Sequence, residues 1–215
     1  FAADIDNGSY DPDGDAFTMT MSPEGPYALG STEVTLTVSD GQLSSTATAI
    51  ITAVDDIAPT ISTSISPITL WPPNHKYATV SVSEFVESVS DNCSGVDAND
   101  VVITSVTSDE VEDANGNGDG NTLNDIVIAD DCKSVNLRKE RQGNGNGRVY
   151  TIHVVIVDNA GNIGTAIYNV NVPKNNNSNA VDDGVAYTVE SNCGSGEKSS
   201  QAINNDIVNT QLMKV

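Results

Sequence analysis

The chain has 215 residues, of which 38% are hydrophobic, and its 30 acidic and 9 basic side chains give a formal charge of −21. This length allows one sizeable core or two small ones, so we expect one or two domains. The acidic excess repels nucleic acid and anionic membranes and favours cations, and no apolar run approaches the roughly 18 residues that a membrane span needs.

Alternating and β-branched runs predict an all-β protein. In the first part of the chain they predict four strands, near residues 2–5, 16–21, 33–39 and 45–53. AVDDIAPTIS (53–62) then places Pro59 after two adjacent carboxylates, and proline favours an extended exit from a strand. We therefore expect a first domain over residues 1–56 and a boundary at 54–60.

Residues 57–173 contain seven further predicted strands. They are short runs bounded by Gly, Asn, Asp or Pro, near residues 67–71, 77–83, 101–107, 125–129, 134–138, 147–157 and 163–172. Seven such strands in about 115 residues are typical of an immunoglobulin-like sandwich. SEFVESV (83–89) could form one helical turn.

Residues 174–215 begin with an Asn-rich linker and contain one predicted strand near 185–190. The first domain has too few predicted strands to cover both faces of its core. One explanation is that the sequence is a fragment of a longer protein. The other is that GVAYTVE (184–190) pairs with the open edge of a neighbouring copy, which would build a filament when repeated head to tail.

Two stretches resemble known extracellular modules. SPEGPYALGSTEVTLTVSDGQLSSTATAIITAVDDIAPTI (22–61) resembles the second half of a hyalin-repeat or related bacterial immunoglobulin-like domain. The stretch from LWPPNHKYATVSVS (70–83) through LRKERQGNGNGRVYTIHVVIVDNAGN (137–162) resembles a module of large secreted bacterial proteins. The resemblance implies tandem immunoglobulin-like β-sandwich domains, the first incomplete, in an extracellular or cell-surface protein, and it implies no catalytic residues.

DANGNGDGNTLND (113–125) is the strongest candidate for a calcium site. The start of the D-x-[DN]-x-[DN]-G calcium pattern is matched by four residues, Asp113, Asn115, Asn117 and Gly118. Asn121 occupies the ninth position, but Asn124 stands at the twelfth in place of Glu, and no helices flank the loop. We therefore expect a calcium loop of the β-sandwich kind to which Asp119 and Asp125 contribute. The alternative is a Gly- and Asn-rich hairpin connection that binds no ion.

Two other groups of acids are candidate calcium sites. The turn DPDGDA (11–16) has three alternating carboxylates, Asp11, Asp13 and Asp15, which would repel one another unless an ion or water lay between them. The alternative there is a solvated acidic turn. At the domain boundary an ion could be shared by four residues, Asp55, Asp56, Asp91 and Asn92.

The chain has three cysteines, so one intramolecular disulfide would leave one cysteine without a partner. Cys93 and Cys132 lie in turns of the second domain, and we expect them to form a disulfide in an oxidising compartment. Cys193 would then pair with another chain or with a part of the protein outside this sequence. The alternative is that all three are free thiols.

One basic segment interrupts the acidic chain. Four of its side chains and the single tryptophan form a candidate glycan-binding set that could grip an anionic polysaccharide: Trp71, Arg138, Lys139, Arg141 and Arg148. The structural alternative is that Trp71, followed by two prolines, lies at a sheet edge and stacks on Arg138 or Arg148.

The chain has no Ser-His-Asp order, phosphate-binding glycine loop or zinc pattern, so we expect that it is not an enzyme. The sequence predicts a calcium-stabilised extracellular structural or adhesive module, a spacer or filament subunit whose partners are neighbouring domains or copies of the same chain. The alternative is a carbohydrate-binding module for an anionic polysaccharide, attached to a secreted enzyme. We expect neither nucleic-acid binding nor membrane insertion.

Overall fold

A computed structural model of the chain describes residues 1–93, 95–113 and 118–193. The protein is mostly β-sheet, which confirms the all-β prediction. The described residues divide into two compact units, residues 1–55 and residues 56–193. Across these ranges, no helix has the length and apolar character needed to cross a membrane.

The first unit contains an antiparallel sheet of three strands, β1 (Thr18–Ser22), β2 (Gly30–Ser39) and β3 (Ser44–Ala53), in the order β1-β2-β3. The turn between β2 and β3 is formed by Asp40, whose Oδ1 accepts the backbone N–H groups of Gln42 and Leu43, each at 2.7 Å. The strand predicted near 2–5 is instead a short 3-10 helix, Ala2–Asp4. Its turn is closed by a hydrogen bond from the Asp4 N–H to the Phe1 carbonyl oxygen.

The described part of the second unit has ten strands and one short α-helix, α1 (Val82–Phe85). The strands are β4 (Thr60–Thr63), β5 (Ile68–Thr69), β6 (Tyr77–Ser81), β7 (Val86–Ser90), β8 (Val102–Ser108), β9 (Ile126–Ile128), β10 (Ser134–Arg138), β11 (Gly147–Val157), β12 (Ile163–Pro173) and β13 (Tyr187–Glu190). A five-stranded sheet has the order β13-β8-β11-β12-β5, a three-stranded sheet has the order β6-β10-β9, and β4 pairs with β7. All pairs are antiparallel except β5 with β12.

The core of the second unit lies between the three-stranded and five-stranded sheets. Along β11 every second side chain, from Tyr150 to Ile156, is buried, as the alternation of a strand requires. These side chains join residues of the other sheet, such as Val80 and Leu137, in a single hydrophobic cluster. Because both sheets contribute to one core, their inner faces are turned toward each other.

Strands β4, β7 and β13 of the second unit add to what the sequence predicted. The strands β4 and β7 were not predicted. The strand predicted near 185–190 is present as β13, and it pairs with β8 of the same unit, with Tyr187 opposite Ser108 and Glu190 opposite Ser105. The edge of β8 is therefore occupied by the chain's own strand, and exchange with another copy would require β13 to leave it.

Candidate metal centre

Arg148 stands at the centre of a group of buried acids. It belongs to β11, two residues before the core-facing Tyr150, so its side chain projects to the same side of the sheet and is fully buried. Its guanidinium donates to Asp125 Oδ2 at 2.5 Å, to Asp119 Oδ1 at 2.8 Å and to Glu110 Oε2 at 3.2 Å. Buried charges are retained only when they are paired and hydrogen-bonded, and Arg148 meets that condition through three carboxylates.

A fourth acid, Glu140, closes the group from the other sheet. It follows the end of β10 and its side chain is fully buried. Thr122 Oγ1 donates to Glu140 Oε1 at 2.6 Å, and His75 Nδ1 lies 3.1 Å from Glu140 Oε2. Asp125 is held nearby because its carbonyl oxygen accepts the backbone N–H of Arg138, the last residue of β10, at 2.8 Å.

Two glycines allow the loop before Asp125 to fold onto this region. Gly118 and Gly120 have φ values of +111° and +80°, which residues with a side chain rarely adopt. A Cβ on Gly118 would lie 2.7 Å from the backbone nitrogen of Gly143, and a Cβ on Gly120 would lie 2.6 Å from His75 Nδ1. Gly118 and Gly120 therefore permit close approach of the backbone to its neighbours.

The carboxylate triad, Asp119, Asp125 and Glu140, could hold a metal ion. All three residues are buried, and each offers one carboxylate oxygen such that the three oxygens lie within 4.8 Å of one another. Asp119 and Asp125 were selected from the sequence, whereas Glu140 was not. The signal for Glu140 was an acid inside the basic run LRKER, because an acid buried among bases indicates a charged cluster.

The acids of the cluster outnumber its bases. Four carboxylates, those of Glu110 and the triad, face two guanidinium groups, those of Arg148 and Arg138, so two negative charges are in excess when all four carboxylates are ionised and His75 is neutral. Burial raises the pKa of Asp125 to about 7, and the neighbouring Glu140 carboxylate adds to the rise, while Arg148 opposes it. Desolvation and like-charge repulsion both disfavour the ionised form of Asp125.

One oxygen of Asp125 has no hydrogen-bond donor within the described residues. Asp125 is fully buried, yet its Oδ1 accepts no hydrogen bond, and Arg138 Nε lies at 3.3 Å without the geometry of one. Buried polar atoms in folded proteins are nearly always satisfied by protein, water or an ion. This oxygen of the triad therefore has an ion-pair neighbour in Arg138 but no hydrogen bond from the described residues.

The described residues of the calcium-pattern loop outside the triad differ from it in burial. Asp113 and Asn121 are exposed. Asn121 and Asn124 have φ values of 52° and 61°, in the left-handed region that Asn tolerates in loops. Asn115 and Asn117 lie outside the described residues.

The remaining acidic candidates stay predictions. Asp11 Oδ1 accepts the backbone N–H groups of Asp13 at 2.9 Å and of Asp15 at 3.1 Å, which is the hydrogen bonding of a local turn. At the boundary, Asp55 belongs to the first unit and Asp56 to the second.

The basic side chains point mainly toward acids and backbone oxygens. Arg138 lies over the ring of Tyr77, 4.2 Å from its centroid, and Arg148 lies 5.6 Å from the centroid of the Tyr150 ring. The aromatic partners are therefore tyrosines rather than Trp71, whose exposed fraction is 39%. Because Arg148 is fully buried, the predicted glycan-binding set could offer a ligand only its other members, Trp71, Arg138, Lys139 and Arg141.

The predicted disulfide between Cys93 and Cys132 is wrong. Cys132 is bonded to Cys193, with 6.3 Å between their Cα atoms, and Cys93 is an exposed free thiol. The reason is the path of the last strand, because the Ser191 N–H donates to Thr104 O and the Ile103 N–H donates to Cys132 O, so both cysteines lie beside β8. The sequence signal for this pairing was the predicted strand near 185–190, which is followed closely by Cys193.

Neither the models of known protein families nor the curated proteins gave a match to this sequence. The resemblance to hyalin-repeat and related bacterial modules therefore stays a prediction.

Proposed function

We propose that the chain is a non-catalytic, calcium-stabilised structural or adhesive module of a secreted protein, built from tandem immunoglobulin-like β-sandwich domains. The observation that carries this proposal is the buried carboxylate triad with an excess of negative charge around it. A cluster of this kind in the core of a β-protein fits a stabilising ion better than it fits a reaction, because all three carboxylates of the triad are buried.

A divalent cation supplies the charge that the cluster lacks. With all four carboxylates ionised, the described side chains leave a net excess of about two negative charges, and excess charge in a buried cluster is costly. A dication at the triad would neutralise this excess and would coordinate Asp125 Oδ1, which accepts no hydrogen bond from the described residues. The competing way to relieve the excess is a proton on Asp125, whose pKa of about 7 allows partial protonation near neutral pH.

The donor atoms favour calcium among the common metal ions. The triad offers carboxylate oxygens, and calcium prefers six to eight hard oxygen ligands in a flexible arrangement that includes backbone carbonyls and water. Structural zinc sites are built mainly from cysteine and histidine, whereas all three members of the triad are carboxylates.

The disulfide and the charge support an extracellular location. Disulfides persist in oxidising compartments, and the strongly acidic chain suits a calcium-rich exterior. In that setting the ion would stiffen the second unit, which is the property that a spacer or filament subunit requires. The polysaccharide-binding alternative has weaker support, because Arg148 is buried and the side chain of Arg138 is only 15% exposed.

Calcium binding and thermal unfolding of the full chain test the proposal. We expect calcium to raise the melting temperature of the unaltered protein relative to chelator, and we expect Asp125→Asn to remove most of that rise. Asp131→Asn is the matched control, since Asp131 is an exposed acid of the same unit. Identical melting curves of the unaltered protein in calcium and in chelator would contradict the proposal, and retardation in affinity electrophoresis through uronic-acid or sulfated glycans would favour the polysaccharide alternative.

A further inference from the structure

The last strand places a tyrosine on the side of the sheet that carries the acidic cluster. In the register of the five-stranded sheet, Tyr187 of β13 lies opposite Ser108 of β8, and Ser108 lies opposite Tyr150 of β11. Residues directly opposite one another project from the same face of a sheet. Tyr150 already contacts the cluster, because Arg148 Nη1 donates to its hydroxyl at 3.1 Å. Tyr187 therefore approaches the same region from the sheet edge.

The hydroxyl of Tyr187 is buried and unsatisfied. Its oxygen has no hydrogen-bond partner in the described part of the chain, although the ring packs against the hydrophobic cluster. Burial raises the pKa of Tyr187, and the negative charge of Asp125 raises it further, so the group is a neutral phenol with a proton to donate. The described residues thus contain a buried donor, on the face of the sheet that carries the cluster, and a buried carboxylate oxygen of Asp125, neither of which has a hydrogen-bond partner. Buried polar atoms of this kind are usually satisfied by a bridging water or ion.

A disulfide and two backbone hydrogen bonds at its ends hold strand β13 in place. The disulfide joins Cys193, three residues after β13, to Cys132 in the turn between β9 and β10. The N–H groups of Ala186 and Ser191 donate to backbone oxygens of Ser108 and Thr104, each at 2.8 Å, at the two ends of the strand. The strand is therefore fixed directly beside β8, whose end leads into the acidic loop at Glu110.

We propose that β13 is the closing element of the metal centre, and that Tyr187 is a positioning residue whose hydroxyl donates to the ion-loaded cluster, to a carboxylate or to water on the ion. This inference rests on the proposed function. Its consequence is a thermodynamic coupling, because a contact that forms only in the loaded state makes ion binding and strand docking favour each other equally.

Calcium titration of the full chain by calorimetry tests the role of Tyr187. We expect Tyr187→Phe to weaken calcium affinity about tenfold, since one lost hydrogen bond to a charged group corresponds to a factor of at least this size. Tyr168→Phe is the control, because it removes a buried tyrosine hydroxyl that donates to Ser66 O at 2.7 Å in another part of the unit. It should lower stability and leave calcium affinity unchanged. Unaltered affinity in Tyr187→Phe, with binding still abolished by Asp125→Asn, would overturn this inference alone, whereas no calcium binding by the unaltered protein would overturn the proposed function.

Hydrogen exchange gives a second test that does not depend on the phenol. In a Cys193→Ser variant the strand is held by hydrogen bonds alone, so we expect calcium to slow amide exchange over residues 187–191 relative to chelator by about tenfold, the same factor as the affinity change. Cys93→Ser keeps the disulfide and should show protection of these amides in both conditions. Equal exchange of the Cys193→Ser strand with and without calcium, in a protein that binds the ion, would overturn the coupling.

Discussion

Arg148 Nη1 lies 2.5 Å from Asp125 Oδ2, and neither side chain has any exposed surface. A buried pair of this kind adds little net stability compared with an apolar pair of similar volume, but the loss of one partner leaves the other charge uncompensated. Arg148 also forms ion pairs with Asp119 and Glu110, so its removal would leave three carboxylates without this partner.

Replacement of Arg148 by Met should therefore be strongly destabilising. We expect the free energy of unfolding in chelator to fall by about 3–5 kcal/mol, measured by urea denaturation. Arg141→Met is the control, because Arg141 is only half-buried and its guanidinium donates to the Lys174 carbonyl oxygen at 3.2 Å. A loss of similar size in both variants would show that the acidic cluster does not depend on Arg148.

The close approach of Gly120 to His75 predicts that Gly120→Ala destabilises the protein more than Gly161→Ala does. Gly120→Ala and Gly161→Ala both place a side chain at a positive φ, +80° and +95°, which costs about 1–2 kcal/mol. Only the Cβ at Gly120 also meets another residue, whereas that at Gly161 has nothing within 4 Å. Gly120→Ala should cost a further 1–3 kcal/mol or so. Thermal unfolding of the two variants measures this difference, and equal losses would contradict the packing of the loop on His75.

Strand existence was largely predictable from the sequence, whereas pairing was not. β11 and β12 were predicted nearly to the residue, because their β-branched runs are long and are bounded by Gly147 at the start of β11 and by Pro173 at the end of β12. β4 was missed because its four residues follow a proline within a polar stretch, and too few positions remain to show a period of two. The pairing of β13 with β8 is a tertiary contact between segments about 80 residues apart, and no local pattern encodes it.

The environment of Asp109 predicts a pH dependence of stability. Burial raises the pKa of Asp109 to about 6, although the backbone N–H groups of Val149 and Asp183 oppose the rise. The folded protein therefore holds this proton more tightly than the unfolded chain, whose carboxyl has a pKa of 3.8, and ionisation of Asp109 destabilises the fold as pH rises from about 4 to about 6.

Asp109→Asn should flatten the pH profile in this window. We expect the loss of unfolding free energy between pH 4 and pH 6 to be smaller in this variant than in the unaltered protein, measured in chelator by urea denaturation at several pH values. Asp131→Asn changes an exposed carboxyl of the same unit and should leave the slope unchanged. Parallel profiles for Asp109→Asn and the unaltered protein would exclude Asp109 as the origin of the dependence.

The disulfide predicts that replacing Cys193 lowers the stability of the protein far more than replacing Cys93 does. Cys193→Ser opens a link between residues separated by 61 positions, and the chain-entropy model assigns such a link about 4 kcal/mol. Cys93→Ser replaces an exposed free thiol and should change stability by less than about 0.5 kcal/mol. Denaturation of the two variants without reductant measures the difference, and an equal response would be incompatible with the observed pairing.

The candidate site was predictable in part. The spacing of carboxylates and glycines in residues 113–125 singled out Asp119 and Asp125, because calcium loops and tight loops share those residue types. Glu140 was not selected, and Arg148 was predicted to bind a glycan or stack on Trp71, because both lie in a basic segment of the sequence that is distant from the loop. Only the fold places these two beside the loop, by way of the ends of β10 and β11.

The link between Cys132 and Cys193 has a mechanical consequence. Tension applied between residue 56 and Cys193 would reach the second unit through Cys132, and the covalent bond would shield the intervening segment from extension. That segment of about 61 residues corresponds to roughly 200 Å of contour length that stretching cannot release until the bond is reduced. Asp119 and Asp125 lie before this shielded segment, while Glu140 and Arg148 lie within it. Pulling would therefore draw the two halves of the acidic cluster apart, and an ion held between them would act as a force-bearing clamp.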